Sequence, residues 1–253
     1  MVDAMDEYTL SPVLLKETSS TNDWARANLI HFSSDITLVR ALCQSSGRGI
    51  SGAWLSPRDV GIYSSYVTFL LPRIESRLIT YIAITSILQM LREMGISAQV
   101  KWPNDIILRN KKLGGVLSEV VSCSEKTACI IGIGLNINTL PSDLDRIDQP
   151  ATSLYMETGS TYLVTEISNR LTHYIMANCT RFLEDGASPF YAFLQNRWLY
   201  LGEWVRVDTA TRSVCGKMVG VGLDGALQVQ LTPGELVSIY SGKIVTELKK
   251  DRE

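Results

Sequence analysis

Several short runs in this chain put reactive residue types close together. Lys101-Trp102-Pro103-Asn104-Asp105 holds a cation, an amide and a carboxylate within five positions, and its proline fixes the turn that gathers them. Lys111 and Lys112 precede Gly114 and Gly115, so that Lys112 can reach back over ground the glycines leave uncrowded. Between Gln44 and Pro57 lies a glycine-rich stretch with a single arginine, Arg48, whose forked guanidinium suits a phosphate or a carboxylate. Gly132 and Gly134 interrupt an apolar run, where glycine marks a ligand or another backbone coming close, and Asn136 and Asn138 follow with amide groups. Ser20 and Thr21 stand at a strand-to-helix corner that presents hydroxyls and backbone amides together.

Each run also has a plainer reading. The glycine-rich stretch alone is an ordinary surface loop, Trp102-Pro103 is packing, Lys101 with Asp105 is a solvated pair, and the strand glycines form a β-bulge. For Lys111 the solvated hairpin flank is the reading adopted. Gly47-Arg48-Gly49-Ile50-Ser51-Gly52 matches a dinucleotide fingerprint by letter only, because Ala53-Trp54-Leu55-Ser56-Pro57 cannot open the helix that fingerprint requires. No phosphate-binding GxxxxGK[ST] run occurs. With His31 and His173 as the only histidines, no multi-histidine metal site can form, and both read as structural or surface residues.

The elements that must position these residues follow from local pattern. A strand near Val13–Lys16 leads into a helix carrying Trp24, Ala25 and Leu29. Strands near Ile36–Cys43 and Ile62–Leu71 frame the glycine-rich loop, which reads as mobile. Leu78–Met94 reads as a core helix ending at Gly95, and the alternation of Ile96, Ala98 and Val100 as a strand delivering Lys101. Leu113–Val121 and Ala128–Asn138 pair as an antiparallel hairpin. A helix over about Leu163–Glu184 closes the large domain. Beyond about 198–202 short strands with glycine turns predict a small β-barrel, so the expected division is 1–199 and 200–253. Strands and helices without βα alternation predict an α+β fold.

Composition narrows the function. The chain has 253 residues, 45% hydrophobic and 20% charged, with a net charge of −2, which draws it toward neither nucleic acid nor an anionic membrane. The amino terminus is acidic where an export signal is basic, and five scattered cysteines with no CxxC pair fit a reducing cytoplasm.

In order, Ser19–Asp23 (SSTND), Gln44–Gly49 (QSSGRG), Lys101–Asp105 (KWPND), Lys112–Glu119 (KLGGVLSE), Gly132–Asn138 (GIGLNIN) and Ala151–Leu154 (ATSL) resemble the biotin protein ligase family. The resemblance implies a mixed-sheet catalytic domain of the biotin/lipoate ligase type with a small SH3-like carboxy-terminal domain. It implies ATP-dependent transfer of biotin, through biotinyl-5′-AMP, to a lysine of a biotin carboxyl carrier protein. Ser20, Thr21 and Gln44 would bond the biotin ureido ring, with Gly115 and Gly132 lining its pocket. Arg48, Lys112 and Lys101 would be catalytic cations, Arg48, Trp54, Asn104 and Asn136 would hold the nucleotide, and Asp105 a Mg²⁺ ion. The family loop commonly carries further arginines, whereas this chain has Ile50, Ser51 and Ala53 there, which predicts easier escape of the adenylate. With about a dozen residues before the first strand, a DNA-binding domain is not expected; a homodimer stays open. A lipoate or octanoate ligase or transferase of the same fold, and a non-catalytic biotin-binding module, are the rival readings.

Overall fold

The computed structural model describes residues 9–245, except 51, 72–75, 124–125, 145–146, 148 and 233. The acidic amino terminus, Ser51 and the end of the last predicted strand lie outside the described residues. In chain order the elements are β1 (Leu10–Leu15), α1 (Thr21–Ala27), β2 (Ile36–Ala41), β3 (Gly47–Arg48), β4 (Ala53–Trp54), β5 (Gly61–Thr68), α2 (Ser76–Glu93), β6 (Gln99–Lys101), β7 (Asp105–Leu108), β8 (Lys111–Cys123) and β9 (Lys126–Asn136). They continue with α3 (Pro141–Leu144), α4 (Leu154–Thr158), α5 (Val164–Asp185), α6 (Ser188–Leu194), β10 (Trp204–Asp208), β11 (Ser213–Val221), β12 (Leu227–Thr232), β13 (Glu235–Ile239) and β14 (Lys243–Val245).

Seven strands form a mixed sheet in the order β1-β2-β5-β9-β8-β7-β6, in which only β1 and β2 run parallel. Side chains alternate between faces along a strand. Ile62, Tyr66, Ile131, Ile133 and Val116 therefore point to one side, where they join α2 and α5 in the main core. Helix α2 is buried nearly all round, with Ile79, Ile82, Ile84, Ile87 and Leu91 fully covered, as expected of a helix with little polar face. It stops at Gly95, whose φ of 76° lets the Gly95 N–H reach the Arg92 carbonyl and the Ile96 N–H that of Leu91. On the opposite face α1, through Ala25, and the short turn after it, through Leu29, pack on β2, β5 and β9, leaving the β7–β8 part of that face without a helix.

Strands β10–β14 make a separate five-stranded antiparallel sheet in the order β13-β12-β11-β10-β14, consistent with an SH3-like unit. Its buried side chains, Val205, Val207, Met218 and Leu227 among them, run into the main core, and hydrogen bonds add to the junction. The Trp102 indole N–H donates to the Gly225 carbonyl at 3.1 Å, and Arg77 Nε donates to the Asp224 carbonyl at 3.1 Å. The chain is thus α+β as its sequence pattern indicates.

Four local expectations need correction. The predicted strand from Ile96 is only the three-residue β6, since Ile96 still closes the end of α2. Residues 105–108, not anticipated as a strand, form β7, and the β7–β8 hairpin turns on Arg109 and Asn110 with φ of 49° and 62°. The glycine-rich loop is a small ribbon, β3 paired with β4, rather than open loop. Helix α5 does not end the large domain: Pro189 in the first turn starts α6 shortly after Gly186 breaks α5.

Among the described residues no helix is long and apolar enough to cross a membrane. All five cysteines are free. Burial pushes the Cys129 thiol up to about 11 and the Cys179 thiol up to about 12, so both stay protonated and shielded near neutrality. Native protein treated with a maleimide near neutral pH is expected to label the exposed Cys215 and to spare Cys129 and Cys179 until denaturant is added; intact-protein and peptide mass spectra would check this.

Candidate functional site

Strand register decides which side chains meet on the uncovered face. Tyr63 pairs with Gly134, Gly134 with Gly115, Gly115 with Asp105, and Asp105 with Lys101. Directly paired residues share a face. A single row thus crosses β5, β9, β8, β7 and β6 as Tyr63–Gly134–Gly115–Asp105–Lys101. The next row toward α1 is Ser65–Gly132–Leu117, and the one beyond is Val67–Ile130–Glu119. Gly115, Gly132 and Gly134 together leave a trough in the sheet with two lysines and a carboxylate at one end.

The trough is lined as follows. Lys112 Nζ lies 2.6 Å from Asp105 Oδ1, and a Cβ on Gly115 would sit 3.4 Å from that oxygen and 3.7 Å from Nζ. Trp54 lies against Gly134: a Cβ there would come within 2.5 Å of its Cε2. The same indole ring has its centroid 5.5 Å from Lys112 Nζ, and its buried Nε1 has no hydrogen-bond partner among the described residues. The short β3–β4 ribbon delivers Trp54, because its strands pair Gly47 with Trp54 and Arg48 with Ala53. Gly47 is required there, as a Cβ would meet the Trp54 carbonyl at 2.5 Å.

At the other end of the trough, Ser20 caps α1 and is almost wholly buried. The Thr21 N–H donates to Gln44 Oε1 at 2.8 Å, Gln44 Nε2 donates to Ser56 Oγ at 2.8 Å, and Ser65 Oγ lies 2.8 Å from Thr21 Oγ1. Ser20, Thr21, Gln44 and Gly132, singled out from sequence, therefore converge, and Ser56, Ser65 and Asn22 join them unanticipated. Asn22 lies against Gly132 and links inward to Ser65 and outward to Glu119, donating from Nδ2 to Glu119 Oε2 at 2.8 Å.

Arg48 projects from the ribbon over this region. Its Nε and Nη2 donate to the two oxygens of Asp23 at 3.1 and 2.6 Å, and Nη2 stands 3.5 Å from Glu119 Oε2. The hydrogen bond to Asp23 raises its pKa further, so it is a permanent cation. Lys101 is different: burial lowers its pKa and nearby Lys243 and Lys112 add to the effect, with Asp105 opposing.

The two asparagines anchor backbone. Asn104 Nδ2 donates to the Val116 carbonyl, fastening the turn between β6 and β7 to β8, and Asn136 Nδ2 donates to the Thr152 carbonyl at 3.0 Å. Thr152 also gives its N–H to the Lys112 carbonyl at 2.9 Å and its hydroxyl to Glu157 at 2.6 Å. Glu157 in turn faces Arg109 at 3.2 Å and the half-exposed Lys111 at 3.8 Å, which agrees with Lys111 as a hairpin flank. Beside Lys112, whose strand bridges to Ala151, opens a cavity of about 410 Å³ lined by Leu144, Ile147, Pro150, Ala151 and Met156.

Residues 14–136 match the model of the biotin/lipoate A/B protein ligase family. A point mutant of biotin protein ligase from Aquifex aeolicus, solved in complex with biotin, is 30% identical over 93% of this chain and 97% of that one, with a TM-score of 0.76. This chain belongs to the biotin protein ligase family. The Aquifex enzyme in complex with biotin and ATP superimposes with a TM-score of 0.79 at 29% identity over 93% of this chain and 97% of its own. The bifunctional ligase/repressor BirA of Bacillus subtilis is 29% identical over 231 residues, covering 89% of this chain and 71% of the relative.

Proposed function

We propose that this chain ligates biotin to a lysine of a biotin carboxyl carrier protein in two steps, using ATP. The observation that carries the reading is the row of strand glycines, with Trp54 laid over Gly134 and Asn22 over Gly132, that leads to Lys112, Asp105 and Lys101, in a fold shared over nearly its whole length with a ligase solved with biotin and ATP. The biotin carboxylate attacks the α-phosphorus of ATP, the bond to the β-phosphate breaks, and biotinyl-5′-AMP and diphosphate form. The carrier lysine amine then attacks the acyl carbon and AMP departs.

The chain's own residues account for these steps. Ser20, Thr21 and Gln44 bond the ureido ring, with Gly115 and Gly132 leaving room for it. Two anions meet in the first step, so cations fixed where charge accumulates lower its barrier: Arg48, Lys112 and Lys101 are those cations. Trp54, Asn104 and Asn136 shape the nucleotide seat. The ribbon carrying Arg48 and Trp54 shields the labile anhydride from water. Among the described residues no three His, Cys, Asp or Glu side chains converge on one point, so they build no metal cage. Asp105, whose Oδ1 is paired with Lys112 Nζ, would be the carboxylate to hold a Mg²⁺ ion carried in on the triphosphate, and the ion would neutralise phosphate charge there.

Domain limits of 1–199 for catalysis and 200–253 for the SH3-like unit go with this reading, as does a cytoplasmic setting. For the carrier, β1 is the edge of the large sheet with no strand beside it among the described residues: β6 at the other edge is covered by residues 197–199, while Leu10 and Leu14 on β1 are exposed. Strand addition there would suit a β-rich carrier or a second copy.

Incubating the protein with a biotin carrier domain, ATP, Mg²⁺ and biotin should add one biotinyl mass to the carrier; a gain with lipoate instead would move the protein to the lipoate branch. The depressed pKa of Lys101 gives a pH dependence. Its charge is present at low pH and is lost as pH rises through that lowered pKa, before an ordinary lysine would lose it. KM for ATP is expected to climb on the alkaline side, and Lys101→Arg should flatten the climb; an identical pH profile for both proteins would remove Lys101 from the phosphate site.

A further inference from the structure

The geometry points to Asp23 and Glu119 as positioning residues that clamp Arg48 and tie its placement to the biotin pocket, an inference that rests on the ligase reading above. Asp23 takes two of the guanidinium nitrogens, Nε and Nη2, in a forked pair, and Glu119 approaches Nη2 as well. A guanidinium held along one edge keeps its plane fixed and offers its remaining nitrogen, Nη1, to an incoming carboxylate or phosphate. With Arg48 the single arginine between Gly47 and Trp54, the grip of this ribbon on an anionic intermediate depends on where that one side chain stands.

Glu119 is the less exposed of the two acids and the better connected. Its Oε1 is paired with Arg26, and its Oε2 accepts from Asn22 Nδ2. Asn22 also bonds the Leu117 carbonyl at 3.1 Å, accepts from Ser65 Oγ at 2.5 Å, and lies against Gly132. A continuous chain of contacts therefore runs from the pocket floor at Gly132 through Asn22 and Glu119 to Arg48. A ligand seated on Gly132 presses on Asn22, and the amide is held to the same carboxylate that faces the arginine. Glu119 thus joins the floor of the pocket to the seat of Arg48, without any contact between biotin and Glu119.

Glu119→Gln and Asp23→Asn test this in the full-length protein. Both keep size, and the amide oxygen introduced by Glu119→Gln would still accept from Asn22, but each loses the charge that holds Arg48. Three quantities are read: biotin affinity without ATP, the rate at which labelled biotinyl-AMP leaves the enzyme in the absence of carrier, and hydrogen exchange of residues 47–54 in the ligand-free protein. Expected are biotin affinity within about twofold of wild type, adenylate release about tenfold faster, and faster exchange of the ribbon. Asp23→Glu, which keeps the charge, should restore slow release, and adding Arg48→Ala to Glu119→Gln should give no further gain in rate. Wild-type release rates in both variants would overturn the clamp while leaving ligation intact, as would a loss of biotin affinity as large as the gain in release, since that marks a structural role. If the wild-type protein makes no adenylate from biotin and ATP, the ligase reading and the clamp fall together.

Discussion

Lys112→Ala is expected to lower the rate of biotinyl-5′-AMP formation about a thousandfold while leaving the fold intact and biotin affinity close to wild type. Lys112 Nζ stands at the head of the trough, 2.6 Å from Asp105 Oδ1 and over the face of Trp54. Only its terminal charge meets the place where carboxylate and α-phosphate would join. Its backbone is held independently, through Pro150 and Thr152 on one side and β7 on the other, so truncating the side chain does not release the strand. One complication is built into the pair: removing the cation leaves Asp105, itself half-buried, without its partner and repelling the triphosphate. The double variant Lys112→Ala/Asp105→Asn separates the two effects. If the repulsion matters, the double variant recovers part of the affinity for ATP but none of the catalytic rate. Diphosphate release with biotin and ATP, read beside thermal melting, decides the case: a Lys112→Ala protein that melts like wild type and turns over within about tenfold of it would mean that the charge is supplied elsewhere.

Much of this arrangement is legible in the sequence because its parts are unusual residues at unusual places. Glycines inside an apolar strand and a Lys-Trp-Pro-Asn-Asp turn have few structural reasons to exist, so Gly132, Gly134, Lys101 and Asp105 stand out before any fold is known. What local pattern does not reveal is which of them line up. The row from Tyr63 to Lys101 depends on the register of four strand pairs, and a one-residue slip would send half of it to the helix-covered face. Asn22, Ser65 and Glu119 escape a sequence reading for the same reason: each is an ordinary polar residue, and they meet across 43 and 97 positions of chain. Asn22 and Glu119 carry a signal only as members of the SSTND and KLGGVLSE runs, and Ser65 carries none. The ribbon carrying Arg48 reads as mobile because its strands are two residues long, too short for a period, and pairing needs a partner that local pattern does not reveal. Helix α6 hides behind Gly186, where a true stop and an early proline restart look alike from the stop alone.

Gly134→Ala should be nearly as damaging as the loss of Lys112, though it adds only one methyl group. The new Cβ would fall 2.5 Å from Trp54 Cε2 and 2.7 Å from its Nε1, distances that no side chain accepts, so the indole must leave its seat. Strand β9 cannot yield instead, because it is hydrogen-bonded on both sides, to β5 and to β8. When Trp54 moves, the β3–β4 ribbon loses the contact that lays it over the sheet, and Arg48 on the paired strand loses its position with it. A fall of about a hundredfold in kcat/KM for ATP is expected, with thermal stability little changed since the added methyl meets a partly exposed side chain and not the core. The pairing with Gly115 provides a control: a Cβ there meets nothing closer than 3.4 Å, so Gly115→Ala should fold without displacing Trp54 and crowd Asp105 and Lys112 instead. A Trp54→Ala/Gly134→Ala double variant gives the sharpest comparison. If the clash with the indole is the whole cause, the double variant is no worse than Trp54→Ala alone, because the methyl then enters space the ring has vacated. If instead the double variant falls well below Trp54→Ala, the methyl blocks the ligand directly, and the floor of the nucleotide seat is Gly134 itself.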